Sequence, residues 1–226
     1  MRSVNAIFIK QAKDMFKNFS VLVMFIIFPL VAFAMTHFVA QGNDDIPDGM
    51  FATMMASIFV GMALLQSACT VIAEDREKKS LRFLVLAGVN PLSYLLGIGG
   101  VIFVASIFTS LAFAYIGNHA EFVPFMAIML SGAVASIILG ATIGIYAKNQ
   151  QAATGLSMPI AMVLGFAPMI ATFNERVAGM VEFFYTQQIN ADFSAEITRP
   201  LLIIWANIAV LIVLFVMAYV KKGLRD

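Results

Sequence analysis

Six long stretches of the chain carry no charged residue, and the polar residues gather between them. The stretches run over residues 19–40, 50–72, 92–117, 122–147, 152–173 and 200–220, and none contains Asp, Glu, Lys or Arg. A helix rises about 1.5 Å per residue, so about 20 residues cross ~30 Å of hydrocarbon. A charge at mid-membrane costs about 2.5–3.5 kcal/mol, so the vacancy itself predicts six transmembrane helices. Residues 1–18 differ: Val4, Ile7, Phe8, Gln11, Ala12, Met15 and Phe19 recur at helical spacing with lysines between them, which predicts an amphipathic helix lying on the membrane surface. Residues 83–117 are too long for one span, since 35 helical residues would reach ~52 Å. Asn90-Pro91 divides them, because the residue before proline is pushed out of helical geometry. Residues 74–89 then form a separate surface helix or hairpin.

Composition agrees with this pattern. Of 226 residues, 61% are hydrophobic and 12% charged, and mean hydropathy is +0.92. Soluble domains carry roughly 45–50% apolar and about 25% charged residues, so lipid must solvate most of this surface. The expected fold is an all-α membrane protein, residues 1–226 forming a single transmembrane domain. Pieces outside the spans are short, the longest being 174–199, and no soluble domain fits in them. Ala32-Phe33-Ala34 has the form of a signal-cleavage site. The apolar run continues through Val39, longer than a usual signal core, so it is read as the first span.

Charge sets orientation. Arg2, Lys10, Lys13, Lys17, Arg76, Lys78, Lys79, Arg82, Lys148, Lys221, Lys222 and Arg225 fall on one side, and only Arg176 and Arg199 on the other. Basic residues stay inside, so both termini are expected in the cytoplasm. Asp44, Asp45 and Asp48 cluster in the first outer loop. In 174–199, Val177, Met180, Val181 and Phe184 keep a helical period, which fits a surface helix and a re-entrant one equally.

Chemistry is sparse. No P-loop pattern occurs, so the chain has no nucleotide-binding motif and is not expected to be an enzyme. His37 and His119 have no acidic or Cys neighbours at ligand spacing, so no metal is expected. Cys69 stands alone and is expected to be a small buried hydrophobe. Ser131-Gly132 has no histidine at depth to serve as base. No intramembrane carboxylate marks an ion path; Gln66 and Asn207 are the most polar residues within the spans. Small residues recur every four positions at Gly132, Ser136, Gly140 and Gly144, and at Thr53, Ser57 and Gly61. Such rows let helices approach closely, within one subunit or between two. Gly155, Pro159, Gly165 and Pro168 suggest a broken fifth span. The mixed-sign block Glu74, Asp75, Arg76, Glu77, Lys78, Lys79, Ser80, Leu81 and Arg82 follows the second span. It reads as a handle for a soluble partner or as a solvated loop.

This layout resembles the membrane subunit of ABC-2-type ABC transporters. The resemblance extends to Asp75-Arg76-Glu77-Lys78-Lys79-Ser80-Leu81-Arg82-Phe83-Leu84, followed by Gly88-Val89-Asn90-Pro91-Leu92-Ser93 and Leu96-Gly97. The departures are Lys79 where the family has Gly, Ser80 for Thr, and Ile98 where Lys is frequent. It covers the whole chain in layout but only residues 75–97 in motif. It implies two membrane subunits, as homodimer or heterodimer, over two separate P-loop ATPase subunits that would hold the ATP and Mg. Residues 74–81 would couple to the ATPase, and outer re-entrant helices would occupy 174–199. The pathway or dimer seam would draw on Thr53, Met54, Met55, Ser57, Phe59, Gly61 and Met62 of the second span and Met158, Pro159, Met162 and Phe166 of the fifth. The implied function is ATP-driven export of an amphipathic or apolar peptide, lipid or drug across a bacterial plasma membrane, with no nucleic-acid partner. The alternatives are a self-contained carrier or channel, and a membrane immunity or scaffold protein.

Overall fold

A computed structural model describes residues 2–17, 19–40, 46–47, 49–117, 121–190 and 197–222. The acidic cluster Asp44, Asp45 and Asp48, together with His119 and Arg225, lies outside the described residues, as do residues 191–196. The described residues form helices without strands. They are α1 (Arg2–Lys17), α2 (Phe19–Met35), α3 (Met50–Ile58), α4 (Leu65–Glu77), α5 (Ser80–Leu86), α6 (Pro91–Ile116), α7 (Phe122–Tyr146), α8 (Gln150–Ala171), α9 (Glu175–Val181) and α10 (Thr198–Lys222). A π-helical stretch, Thr36–Ala40, ends the first span, and another, Phe59–Leu64, joins α3 to α4. Among the described residues six helices are long and apolar enough to cross a membrane, which makes this a multi-pass helical membrane protein. In lipid a helix satisfies its own backbone, and no isolated strand could.

The second span runs unbroken as Met50–Glu77, 28 residues. At ~42 Å it is longer than the hydrocarbon is thick, so its last turns emerge beyond it. Residues 74–77 therefore extend the span and do not open a separate helix. Nothing in Ala73-Glu74-Asp75-Arg76-Glu77 breaks a helix; the break comes at Lys79, which takes the left-handed φ of 59°. From there α5 starts, and it ends at Gly88, φ 76°. Asn90 then caps α6, its Oδ1 accepting from Leu92 N at 3.0 Å, with Pro91 in the first turn.

The second span is also the centre of the bundle. Its most apolar window is 83% buried, against 22% for the first and last spans. It packs on α2, α6, α7 and α8, while α10 lies against α7 and α1 against α6. Close approach depends on glycine. A Cβ on Gly61 would come within 2.6 Å of Gly165 N, and one on Gly144 within 2.6 Å of the Cys69 carbonyl oxygen. Gly140 sits in the same way on the Leu65 carbonyl. These small-residue rows thus join spans of one chain.

Helix directions gather α1, residues 73–94, residues 145–151 and the last turns of α10 at one end, the basic end. Residues 46–47, 49–50, 116–117, 121–122, 172–190 and 197–198 occupy the far end.

Candidate functional site

At the basic end, three consecutive side chains of α4 reach three sets of neighbours. Successive helical residues point ~100° apart, and only a central helix finds a partner in every direction. Asp75 is 6% exposed. Its Oδ1 accepts from Lys10 Nζ of α1 at 2.8 Å, and its Oδ2 accepts from the Tyr94 hydroxyl of α6 at 3.1 Å. Arg76 donates from Nη1 to the Ile145 carbonyl, and to that of Ala147 at 3.4 Å. These are terminal carbonyls of α7, where a cation meets the negative end of the helix dipole. Glu77 turns the other way and accepts from Gln150 N of α8 at 3.3 Å, a carboxylate at the positive end of a helix. Asn149 completes that terminus by accepting from Ala152 N at 2.8 Å.

The sixth span joins through aromatic rings. Tyr94 packs on Tyr219 with centroids 5.6 Å apart, and the Tyr219 hydroxyl donates to the Val89 carbonyl at 3.1 Å. A rotation of this one turn of α4 would thus pull directly on α1, α6, α7 and α8.

The rest of the charged block faces outward. Glu74 pairs with Lys78 one turn on, and this carboxylate pushes the Lys78 pKa up. Lys78, Lys79 and Arg82 are exposed. Ser80 is half-buried, and Leu81 is buried, anchoring α5 to the core. On the other side of α5, Phe83 is 70% and Leu86 66% exposed. Cations and large apolar side chains therefore share one small projecting surface. Sequence reasoning singled out the block but missed Lys10, Tyr94 and Leu86, and gave no role to Phe83 beyond its place in the motif. The only signal for the last two was their position beside the charges.

Above this turn, first, second and fifth spans enclose a polar cleft of about 460 Å³, lined by Gln66, Ser67, Thr70, Gln150, Gln151 and Thr154 with Val21 and Met24. Ser67 and Thr70 return their protons to their own helix, at Ala63 O and Gln66 O. Gln66 Nε2 lies 3.0 Å from the Met158 sulfur.

The residues expected along a pathway or seam separate into two groups. Met54, Ser57, Phe59 and Gly61 are covered by other helices of the same chain. Phe59 is the hub of a ring cluster with Phe25, Phe28 and Phe113. Thr53, Met55 and Met62 are half-buried; Thr53 donates to Gly49 O at 3.0 Å, and Met62 lies against Gly165. Met158, Pro159, Met162 and Phe166 are all exposed, with Met158, Met162 and Phe166 aligned at spacing four on the outer face of α8.

At the far end, residues 182–190 fold back into the bundle. Asn174 caps α9, and Tyr185, Thr186 and Ile189 are buried. The 3-10 turn Gln187–Asn190 packs among α3, α7, α8 and α10. Ser136 Oγ donates to the Val60 carbonyl at 2.6 Å and lies 2.8 Å from the Tyr185 hydroxyl. A serine has one proton, so Tyr185 donates the second bond. Ser136 is ~21 Å along α7 from its far-end start. Asn190 Nδ2 donates to Pro168 O at 3.1 Å, and Asn207 Nδ2 to Phe183 O at 3.0 Å. His37 meets Phe33 in an edge-to-face arrangement, centroids 4.3 Å apart.

No protein-family model matches this chain, and no curated protein matches it.

Proposed function

We propose that the chain is the membrane-spanning subunit of an ATP-driven exporter of the ABC-2 type, with its basic end in the cytoplasm of a bacterial cell. The observation that carries this reading is the joint between α4 and α5. Lys79 takes a left-handed φ of 59° at the position where the family's coupling helix has glycine, the residue that adopts this conformation without strain. The sequence departs from the family there while the backbone does what the family's glycine permits.

On this reading α5 is the coupling helix. Lys78, Lys79, Arg82, Phe83 and Leu86 would sit in a groove of a separate P-loop ATPase, which binds ATP and Mg. Residues 75–77 would convert its movement into displacement of the central span. Residues 182–190 would be re-entrant, dipping into the outer leaflet. A second membrane subunit would face Met158, Met162 and Phe166, and an amphipathic substrate would pass beside the cleft around Gln66. The second-span residues Met54, Ser57, Phe59 and Gly61 would act behind that surface as its support.

Purification from native membranes tests this. The expected partner is an ATPase whose hydrolysis depends on the membrane subunit. Phe83→Ala should weaken docking about tenfold, the equivalent of ~1.4 kcal/mol at an exposed anchor, with the membrane subunit's own thermal stability unchanged. Ion-driven flux through vesicles containing this chain alone would replace the proposal with a self-contained carrier.

A further inference from the structure

We infer that the groove between α1, α2 and α6 binds one acyl chain of an anionic phospholipid from the leaflet at the basic end. The groove holds about 550 Å³, and among the described residues lining it Thr109 is the only polar one. Phe8 and Met15 of α1 line it on the side of the basic end, Phe25 of α2 and Phe108 of α6 line it further along, and Ala105 and Ala112 are its small side chains.

Thr109 is not available to a polar ligand. Pro29 has no N–H, so the Phe25 carbonyl lacks its helical donor. The Thr109 hydroxyl lies 3.5 Å from that carbonyl and 3.3 Å from Ala105 O. The groove is therefore apolar in function as well as in composition, and hydrocarbon is the occupant it suits.

Length decides how much hydrocarbon. The α6 lining runs from Val101 to Ala112, ~17 Å at helical rise. Half of a ~30 Å hydrocarbon core is ~15 Å. The groove matches one leaflet, hence one chain entering from the basic end.

Charge decides the headgroup. Residues 1–18 hold Arg2, Lys10, Lys13 and Lys17 against Asp14 alone. Lys10 is committed to Asp75, while Lys13 is exposed. With its apolar face in the groove, α1 would hold Lys13 at headgroup level, where a lysine favours an anionic lipid about fivefold.

Native mass spectrometry of the full chain, purified in mild detergent from membranes of mixed phospholipids, tests the site. One retained anionic phospholipid per chain is expected, lost in Ala105→Phe/Ala112→Phe. Lys13→Gln should reduce the anionic preference about fivefold. A chain stripped of lipid, retention undiminished in the filled variant, or retention blind to headgroup charge would each overturn the inference. A phospholipid carrying a photoreactive group on its acyl chain makes the test independent of folding of the variants. In the unmodified protein it should label α2 and α6 between Leu22 and Ala112, and labelling spread evenly over the spans would overturn the assignment.

Discussion

At the basic end charges tie the bundle beneath its surface; at the far end the buried ties are neutral, and the Glu182–Arg199 ion pair lies at the surface. Asp75, Arg76 and Glu77 each reach a different helix terminus or cation. Tyr185, Ser136, Asn190 and Asn207 meet one another or backbone carbonyls. The contrast follows from the solvent around each. Lys10 remains half exposed, so its ion pair keeps part of its hydration and avoids much of the cost of burying charge. Tyr185 and Ser136 have no exposure to share, and hydroxyls serve where an ion could not. Neutral interhelical hydrogen bonds are worth about 0.6 kcal/mol each. The far end can therefore rearrange cheaply, while the basic end moves as one piece.

Five substitutions break or sharpen this contrast. The largest effect should come from the rod that both ends share. Gly140→Val pushes a side chain into the Leu65 backbone, where relief requires the helices to separate. A loss of about 3 kcal/mol or more is expected, seen as a fall in thermal stability in detergent with both ends loosened together. Asp75→Ala should act at the basic end alone. It leaves Lys10 and the buried Tyr94 hydroxyl without their acceptor, costing about 1–3 kcal/mol. Hydrogen exchange should rise in α1 and at the start of α6, and an equal rise in residues 182–190 would refute the division. Ser136→Ala and Tyr185→Phe should each cost about 0.6 kcal/mol. The pair should cost less than the sum, because the two hydroxyls share a bond. The smallest change is favourable: Lys79→Gly relieves a left-handed backbone and should add about 0.5–1 kcal/mol, read as a small rise in melting temperature.

The spans were legible because lipid imposes a coarse rule, the exclusion of charge over about twenty residues, that needs no knowledge of neighbours. Asn90-Pro91 was legible for a local reason, since both the cap and the fixed φ act within two residues. The end of the second span was not. Hydropathy stops at Ile72, but the helix continues through Glu77, because helix formation and lipid solubility are separate properties. The charged block could be located in advance, but its division of labour could not. Whether Asp75 faces a lysine or water depends on where α1 comes to rest, sixty-five residues earlier in the chain. Phe59 illustrates the same limit. An aromatic residue on a membrane helix has the same local signature in a passage as in a ring cluster, and only the packing of α2 and α6 distinguishes them.

The π-helical stretch Phe59–Leu64 lies between the two ends, on the span that serves both. Its wider turn holds more residues than an α-helical turn does, so it takes up an extra residue with little rotation of one half of the rod against the other. Deleting a single residue there would let the turn revert to α geometry with Asp75 still facing Lys10, whereas the same deletion within α3 would swing the charged tip by ~100°. The register of a helix nearly thirty residues long should thus survive a one-residue deletion at its irregular turn better than one in the α-helical stretch before it.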